Sequence, residues 1–186
     1  MSRPTIVPIA DRRVSLPPVT LVLGGACSGK SAYAESLLDG YDEPVYVATA
    51  QAEDAEMVDR IRRHQARRGE RWLTVEEPLD LVAALDLHSR AGRPLLIDCL
   101  TLWVTNLILA RLPVDGEIDR LCFSLASLPG PTVLVSNEVG LGIVPDNAMA
   151  RAFRDHAGRL NQMAAARSQR VVFVAAGLPL LLKDVR

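Results

Sequence analysis

The chain of 186 residues is poor in cysteine, carries almost no net charge and lacks a long uninterrupted apolar run. Its cysteines, Cys27, Cys99 and Cys122, show neither metal-ligand nor disulfide spacing, which argues against a zinc site or a stapled secreted scaffold and fits a reducing cytoplasm. A net charge of −1 and a pI near 6.3 leave no general surface for nucleic acid or for an anionic membrane. The longest apolar stretch, Leu95 to Ala110, is broken by Asp98, Thr101, Thr105 and Asn106, too short and too polar for stable membrane insertion. Residues 1–18 lack the apolar core of a signal peptide, hold several prolines beside Asp11, Arg12 and Arg13, and read as a flexible N-terminal extension. No repeat or low-complexity tract is present. What is left, residues 19–186, is the size of one domain with one large core.

The most specific local feature is the string GGACSGKS, made of Gly24, Gly25, Ala26, Cys27, Ser28, Gly29, Lys30 and Ser31. It follows the apolar run Val19-Thr20-Leu21-Val22-Leu23, and its spacing G-x-x-x-x-G-K-S is that of a phosphate-binding loop. A β-branched, Leu-rich run suits a buried parallel strand. Gly24, Gly25 and Gly29 are expected to let consecutive N–H groups curl around a phosphate. Lys30 would supply charge to the β and γ phosphates, and the Ser31 hydroxyl can ligate Mg²⁺. Ser31 to Leu38 is Ala- and Leu-rich and predicts a helix whose N-terminus lies under the anion. The loop predicts a nucleoside triphosphate as ligand.

Strand and helix patterns alternate after it. Pro44 to Ala48, Trp72 to Val75, Pro94 to Asp98, Thr132 to Ser136 and Arg170 to Ala176 predict strands, with an edge strand over Leu178 to Lys183. Ala52 to Arg68, Leu79 to His88, Leu100 to Arg111, Ile118 to Leu128 and Asp146 to Arg167 predict helices. Strands separated by helices imply right-handed crossovers and an α/β fold, a mainly parallel sheet with helices on both faces. Ligands of such sheets sit at the carboxyl ends of the strands. Gly24 to Ser31, Thr49, Asp98 and Asn137-Glu138 should therefore converge on one edge.

Asp98 closes an apolar strand, where these folds hold Mg²⁺ through a carboxylate; an acid there also serves as a helix N-cap. His64 shares a predicted helical face with Met57, Ile61 and Arg68. Residue chemistry alone leaves two readings: a core-edge histidine bonded to a carbonyl, or an imidazole nucleophile held in a phosphate clamp of Arg62, Arg63, Arg67 and Arg68. The loop Asn137 to Pro145 is either a plain connection or a substrate-binding segment. His156 reads as structural, His88 as a solvated residue at a helix C-terminus, and Trp72 and Trp103 as core or subunit-interface residues.

Taken in order, these residues resemble the bifunctional adenosylcobinamide kinase / adenosylcobinamide-phosphate guanylyltransferase family of cobalamin biosynthesis. The resemblance runs from Thr20 to Lys183. It rests on GGACSGKSAYAE at Gly24 to Glu35, YVATAQAEDAEMVDRI at Tyr46 to Ile61 with the following His64, and WLTVEEP at Trp72 to Pro78. It continues through LIDCLTLWVTNLI at Leu96 to Ile108 and SNEVGLGIVPDNAMARAFRDHAGRLNQ at Ser136 to Gln162. The resemblance implies a single domain of the P-loop NTPase, RecA-like type. It implies phosphorylation of the aminopropanol hydroxyl of adenosylcobinamide by ATP or GTP, then transfer of GMP from GTP to adenosylcobinamide phosphate, giving adenosylcobinamide-GDP and pyrophosphate. It makes His64 the carrier of GMP and Lys30 its catalytic partner. It gives nucleotide contacts to Gly24, Gly25, Ala26, Cys27, Ser28, Gly29, Lys30, Ser31, Ala48, Thr49, Ala50, Gln65, Ala66, Arg67, Arg68, Glu76 and Asp98. Ser31 and Asp98 become the Mg²⁺ shell, and the assembly a cytoplasmic homotrimer.

The chain departs from the family's pattern at Cys27, where relatives usually carry Arg, and at Asp98, where a Glu also occurs. Glu138 and Asp98 are both candidates for the base of the kinase step. Two other classes stay open on the residues: a stand-alone small-molecule kinase in which His64 is structural, and a GTP-binding subunit without transferase activity.

Overall fold

The computed structural model describes residues 16–51, 62 and 69–185. Its strands are β1 (Val19–Gly24), β2 (Val45–Ala48), β3 (Leu73–Glu76), β4 (Leu95–Asp98), β5 (Thr132–Asn137), β6 (Arg170–Ala175) and β7 (Leu178–Asp184). Its described helices are α1 (Lys30–Ser36), α2 (Leu81–His88), α3 (Leu100–Leu109), α4 (Val114–Ser124) and α5 (Ala148–Arg167). The strands form one seven-stranded sheet in the order β3-β2-β4-β5-β1-β6-β7. All neighbours are parallel except β6 and β7. This is the α/β fold that the alternating pattern implies.

Both sheet faces are covered, and the strand sequences show why. Side chains alternate across a strand, so a strand buried on both sides must be apolar at every position. In β1, Leu21 and Leu23 pack on one face and Val22 on the other. The first face carries α2, α3, α4 and α5 through Leu85, Trp103, Leu121 and Leu160, with Val47, Ile97 and Leu134 below them. The second receives α1 through Ala34 and the turn after it through Leu38, together with Trp72, Val133 and Val172. Trp103 is fully buried and its indole N–H donates to the Leu79 carbonyl at 2.7 Å. Trp72 meets Tyr46 edge to face at 6.1 Å. Both tryptophans are core residues of the domain.

Some element boundaries differ from the sequence expectation. The helix expected over Ile118 to Leu128 spans Val114–Ser124 instead. Gly116 lowers helix propensity there, but Pro113 at the N-cap, acids Asp115 and Glu117 in the first turn, and burial of Val114 and Ile118 prevail. The helix expected from Ser31 to Leu38 ends at Ser36, and the one expected from Leu79 begins at Leu81, capped by Asp80. The Asp80 side chain accepts from the Ala83 N–H at 3.2 Å. The long helix starts at Ala148, where the Asn147 side chain accepts from Met149 and Ala150. β6 stops one residue short of Ala176 because Ala176 and Gly177, at φ 51° and 76°, form the tight turn into β7. The helix expected over Ala52 to Arg68 and the extension before Leu16 lie outside the described residues, apart from exposed Arg62. Leu16 packs on the second face, and the Pro18 carbonyl accepts from the Thr132 N–H at 2.8 Å.

Candidate functional site

The loop between β1 and α1 lies at the carboxyl edge of the sheet, and its glycines play unequal parts. Gly29 alone of the three is left-handed, at φ 92°, and it starts α1. Gly24 needs space instead: a Cβ there would lie 2.5 Å from both the Ser28 hydroxyl oxygen and the Val174 carbonyl oxygen. Gly25 has ordinary φ and open surroundings, so the expectation that all three glycines relieve backbone strain holds for Gly29 only. The second left-handed residue is Cys27, at φ 55°, a conformation that side-chain-bearing residues seldom adopt. Ala26 and Cys27 are exposed at the loop's crest, and Ser28 is buried beneath it.

Lys30 is 5% exposed, and its ammonium donates across the loop to the Gly25 carbonyl at 3.2 Å. A lysine that spans its own loop holds a positive charge where a phosphate would enter. The tip of the β6–β7 hairpin supports the loop from below, since the Gly177 N–H donates to the Ser28 carbonyl at 2.8 Å.

The neighbouring strand ends converge on this loop, as the fold class requires. Gly24 and Asn137 are in register, and the Glu138 N–H donates to the Gly24 carbonyl at 3.1 Å. One strand, β5, separates β1 from β4, which ends in Asp98. The Asp98 carboxylate accepts from the Tyr46 hydroxyl at 2.9 Å. Thr49, fully buried, joins the end of β2 to the residue after Asp98: its hydroxyl donates to the Cys99 carbonyl and accepts from the Cys99 N–H. Ala48 and Ala50 flank it, both half-buried. Glu76, at the end of the outer strand β3, is in register with Ala48 and exposed.

A second tier of polar side chains fastens these ends together. The Asn106 amide, on α3, donates to the Thr49 carbonyl at 2.8 Å and to the Pro78 carbonyl at 3.0 Å. The Asn137 amide donates to the Thr101 hydroxyl at 2.7 Å, and the Asn161 amide, from α5, to the Asn137 carbonyl at 3.1 Å. Tyr46, Thr101, Asn106 and Asn161 have no site role in the sequence analysis, where Thr101 and Asn106 figure only as breaks in an apolar stretch. The available signal was polarity out of place: Asn106 and Asn161 interrupt helix faces that are otherwise buried. Ser28 Oγ, Asn137 Oδ1 and Asn161 Oδ1 are buried beside this edge without a protein partner among the described residues.

The ionisable groups divide clearly. Burial first, and the neighbouring Asp98 charge second, push the Cys99 thiol up, so it stays protonated at neutral pH. Burial pushes Cys122 up to about 11. Cys27 is the exposed thiol. His156 bridges α5 to α4 through the Asp115 carboxylate at 3.2 Å, a structural position away from the loop. His88 lies half-buried in the last turn of α2. Glu138 closes on its own turn, accepting from the Gly140 N–H at 2.6 Å.

Among the described residues no three His, Cys, Asp or Glu side chains gather into a metal site. The donors at the edge are the Ser31 hydroxyl, half-buried at the start of α1, and the Asp98 carboxylate. One hydroxyl and one carboxylate oxygen match the few protein donors that Mg²⁺ takes when phosphates complete its shell. His64, Gln65, Ala66, Arg67 and Arg68 lie outside the described residues. No described helix is long and apolar enough to cross a membrane.

Comparison with known proteins bears on the fold and the family. The ATPase of a bacterial type III secretion system shares the fold, with a TM-score of 0.51 at 10% identity, covering 88% of this chain and 56% of that one. A Pyrococcus horikoshii protein solved under the project name PH0250 gives a TM-score of 0.55 at 6% identity, covering 92% of this chain and 89% of its own. Likeness at the sequence level is much closer. The bifunctional adenosylcobalamin biosynthesis protein CobP of Pseudomonas aeruginosa is 53% identical over 166 residues, 88% of this chain and 96% of that protein. CobU of Escherichia coli K12, with the same description, is 38% identical over 178 residues, covering 98% of its length. Residues 20–182 match the family described as cobinamide kinase / cobinamide phosphate guanyltransferase. A nucleotide-binding P-loop fold, relatives aligned over nearly their whole length and a family match across the domain give one conclusion: the chain belongs to the cobinamide kinase / cobinamide phosphate guanyltransferase family, enzymes with kinase and nucleotidyltransferase activity in cobalamin biosynthesis.

Proposed function

We propose that the chain phosphorylates adenosylcobinamide with ATP or GTP, then transfers GMP from GTP to adenosylcobinamide phosphate through a guanylyl group on His64. The observation that carries this reading is the Lys30 ammonium held across its loop on the Gly25 carbonyl, at the edge where β4 ends in Asp98, β5 ends in Asn137 and Thr49 follows β2. That arrangement offers cationic and N–H donors to a polyphosphate.

In the kinase step the substrate hydroxyl oxygen bonds to the γ phosphorus, the bond to the β-bridging oxygen breaks, and the hydroxyl proton leaves. Catalysis here is mostly positioning and charge stabilisation. Lys30 and the loop N–H groups hold the non-bridging oxygens, with nucleotide contacts from Gly24 through Ser31 and from Ala48, Thr49, Ala50, Glu76 and Asp98. Asp98 and Glu138 are the candidates for accepting the proton. In the second reaction a ring nitrogen of His64 bonds to the α phosphorus of GTP and pyrophosphate leaves. A phosphate oxygen of the corrinoid then attacks the same phosphorus and the P–N bond breaks. Splitting one displacement into two lets each be stabilised by the same cations, with Gln65, Ala66, Arg67 and Arg68 beside the carrier. Mg²⁺, held by Ser31 and Asp98, would neutralise phosphate charge. The assembly in this reading is a cytoplasmic homotrimer, for which the exposed Leu178, Leu180 and Leu182 of β7 offer an apolar surface to meet on.

The test is incubation with Mg²⁺ and GTP labelled at the α phosphorus. Acid-labile, alkali-stable label on the parent protein but not on His64→Ala is the expected result. GTP binding without label would remove the guanylyl-histidine and favour a plain kinase or a binding subunit.

A further inference from the structure

The connection from β5 to α5 spends its polar groups on its own backbone and turns its apolar side chains outward. Leu141 is 84% exposed, Ile143 97%, Val144 58% and Met149 57%. Meanwhile the Glu138 carboxylate accepts from Gly140, and the Asn147 side chain accepts from Met149 and Ala150. The Arg151 guanidinium donates to the carbonyls of Pro145 and Asp146 at 2.9 and 2.7 Å. These local bonds fix the turns that present the apolar side chains, and four large apolar groups exposed between residues 141 and 149 mark a surface that something covers.

The root of the loop says what. Asn137 is in register with Gly24, the Glu138 N–H is bonded to the Gly24 carbonyl, and Asn161 holds the Asn137 carbonyl. The connection therefore leaves the carboxyl edge of the sheet beside the phosphate-binding loop, and an occupant of its apolar side chains lies on the same edge as the nucleotide. We propose that Leu141, Ile143, Val144 and Met149 form the platform for the corrinoid substrate. This rests on the proposed function, in which the phosphoryl acceptor is a cobinamide. A corrinoid is a broad macrocycle edged with methyl and methylene groups, and its reacting hydroxyl sits on a flexible arm. It needs an open apolar shelf beside the γ phosphate rather than a closed pocket. The shelf holds the macrocycle by its apolar edge and leaves the arm to reach the Lys30 side of the loop.

The experiment uses the full chain and the double variant Leu141→Ser/Ile143→Ser, with Leu87→Ser as the control. Leu87 is 64% exposed on α2, away from the site, so that substitution removes a comparable apolar group without touching the shelf. Both changes lie at the surface and leave the core intact. Expected for the double variant is a rise of about tenfold or more in KM for adenosylcobinamide, with kcat within about twofold and the Kd for GTP unchanged. Leu87→Ser should match the parent. An unchanged KM in an active enzyme overturns the shelf and leaves the substrate reading standing. Dissociation of subunits in sedimentation, with KM altered only in proportion to it, assigns the loop to a second copy and also overturns the shelf. A parent protein that neither binds nor phosphorylates adenosylcobinamide sinks the substrate reading itself, and the shelf with it.

Discussion

The Thr49 hydroxyl grips the backbone of Cys99 on both sides of its Cα, donating to the Cys99 carbonyl at 2.8 Å and accepting from the Cys99 N–H at 2.9 Å. All of these atoms are buried, so Thr49 holds the residue after Asp98 in place without exposing any polar group to water. Thr49→Val keeps the shape and removes both bonds, orphaning the buried Cys99 N–H, while the Cys99 carbonyl keeps its bond from the Trp103 N–H at 3.2 Å. The expected cost is about 2–4 kcal/mol of stability in urea unfolding, with Thr49→Ser losing much less. Turnover should fall in Thr49→Val even where the protein remains folded, because Asp98 is displaced.

Gly24→Ala separates space from backbone freedom. The added Cβ would press on the Ser28 hydroxyl and on the Val174 carbonyl of β6, and the carbonyl cannot rotate away. Nucleotide affinity, read by calorimetry with GTP, should drop by about tenfold or more as the loop shifts. Gly25→Ala, where nothing crowds the new methyl, should bind GTP nearly as the parent does.

Lys30→Met keeps much of the side-chain volume and removes the ammonium that rests on Gly25. Both reactions should fall by about 100-fold or more, since each develops charge on phosphate oxygens. A variant that lost the kinase step alone would show that the two reactions use the loop differently.

The thiols should react unequally. Cys27 is exposed and should be alkylated in the native protein, with protection by bound GTP; Cys99 and Cys122 should react only after unfolding. Mass spectrometry after iodoacetamide counts the modified sites. Equal labelling of Cys27 with and without GTP would place it outside the nucleotide contacts. Cys122 also predicts a pH effect. Its folded-state value is raised from 9.0 to about 11, so the folded state holds this proton more tightly than the unfolded chain. Its contribution to stability is complete below about pH 9 and is lost as pH rises towards about 11. Cys122→Ala should flatten that part of the stability–pH curve.

Trp103→Phe should destabilise by about 2–4 kcal/mol, through the void left in the larger core and the abandoned Leu79 carbonyl. KM for the corrinoid should not change, since the ring is fully buried.

How much of this was readable in advance depended on how local the determinant was. The loop from Gly24 to Ser31, the strand that feeds it and the acid at Asp98 were legible because each is a short run whose residue types answer one requirement. The strand spans were nearly right because burial on both faces forces continuous apolar runs. The start of α4 was not legible: Gly116 argues against helix locally, and burial of Val114 and Ile118 is a fact of packing. Gly24 was assigned the right importance for the wrong reason, because its neighbour Val174 belongs to a strand far along the chain.

Sequence alone therefore determined the fold class, the nucleotide loop and the family, all of which are carried by contiguous residues and their order. The tertiary structure decided that Thr49 grips Cys99, that Asn106 ties Thr49 to Pro78, and that Asn161 steadies Asn137 beside Gly24. These bonds join residues from different strands and helices. No local pattern encodes them, since a single buried amide finds its partner only when the sheet has brought the strand ends to one edge.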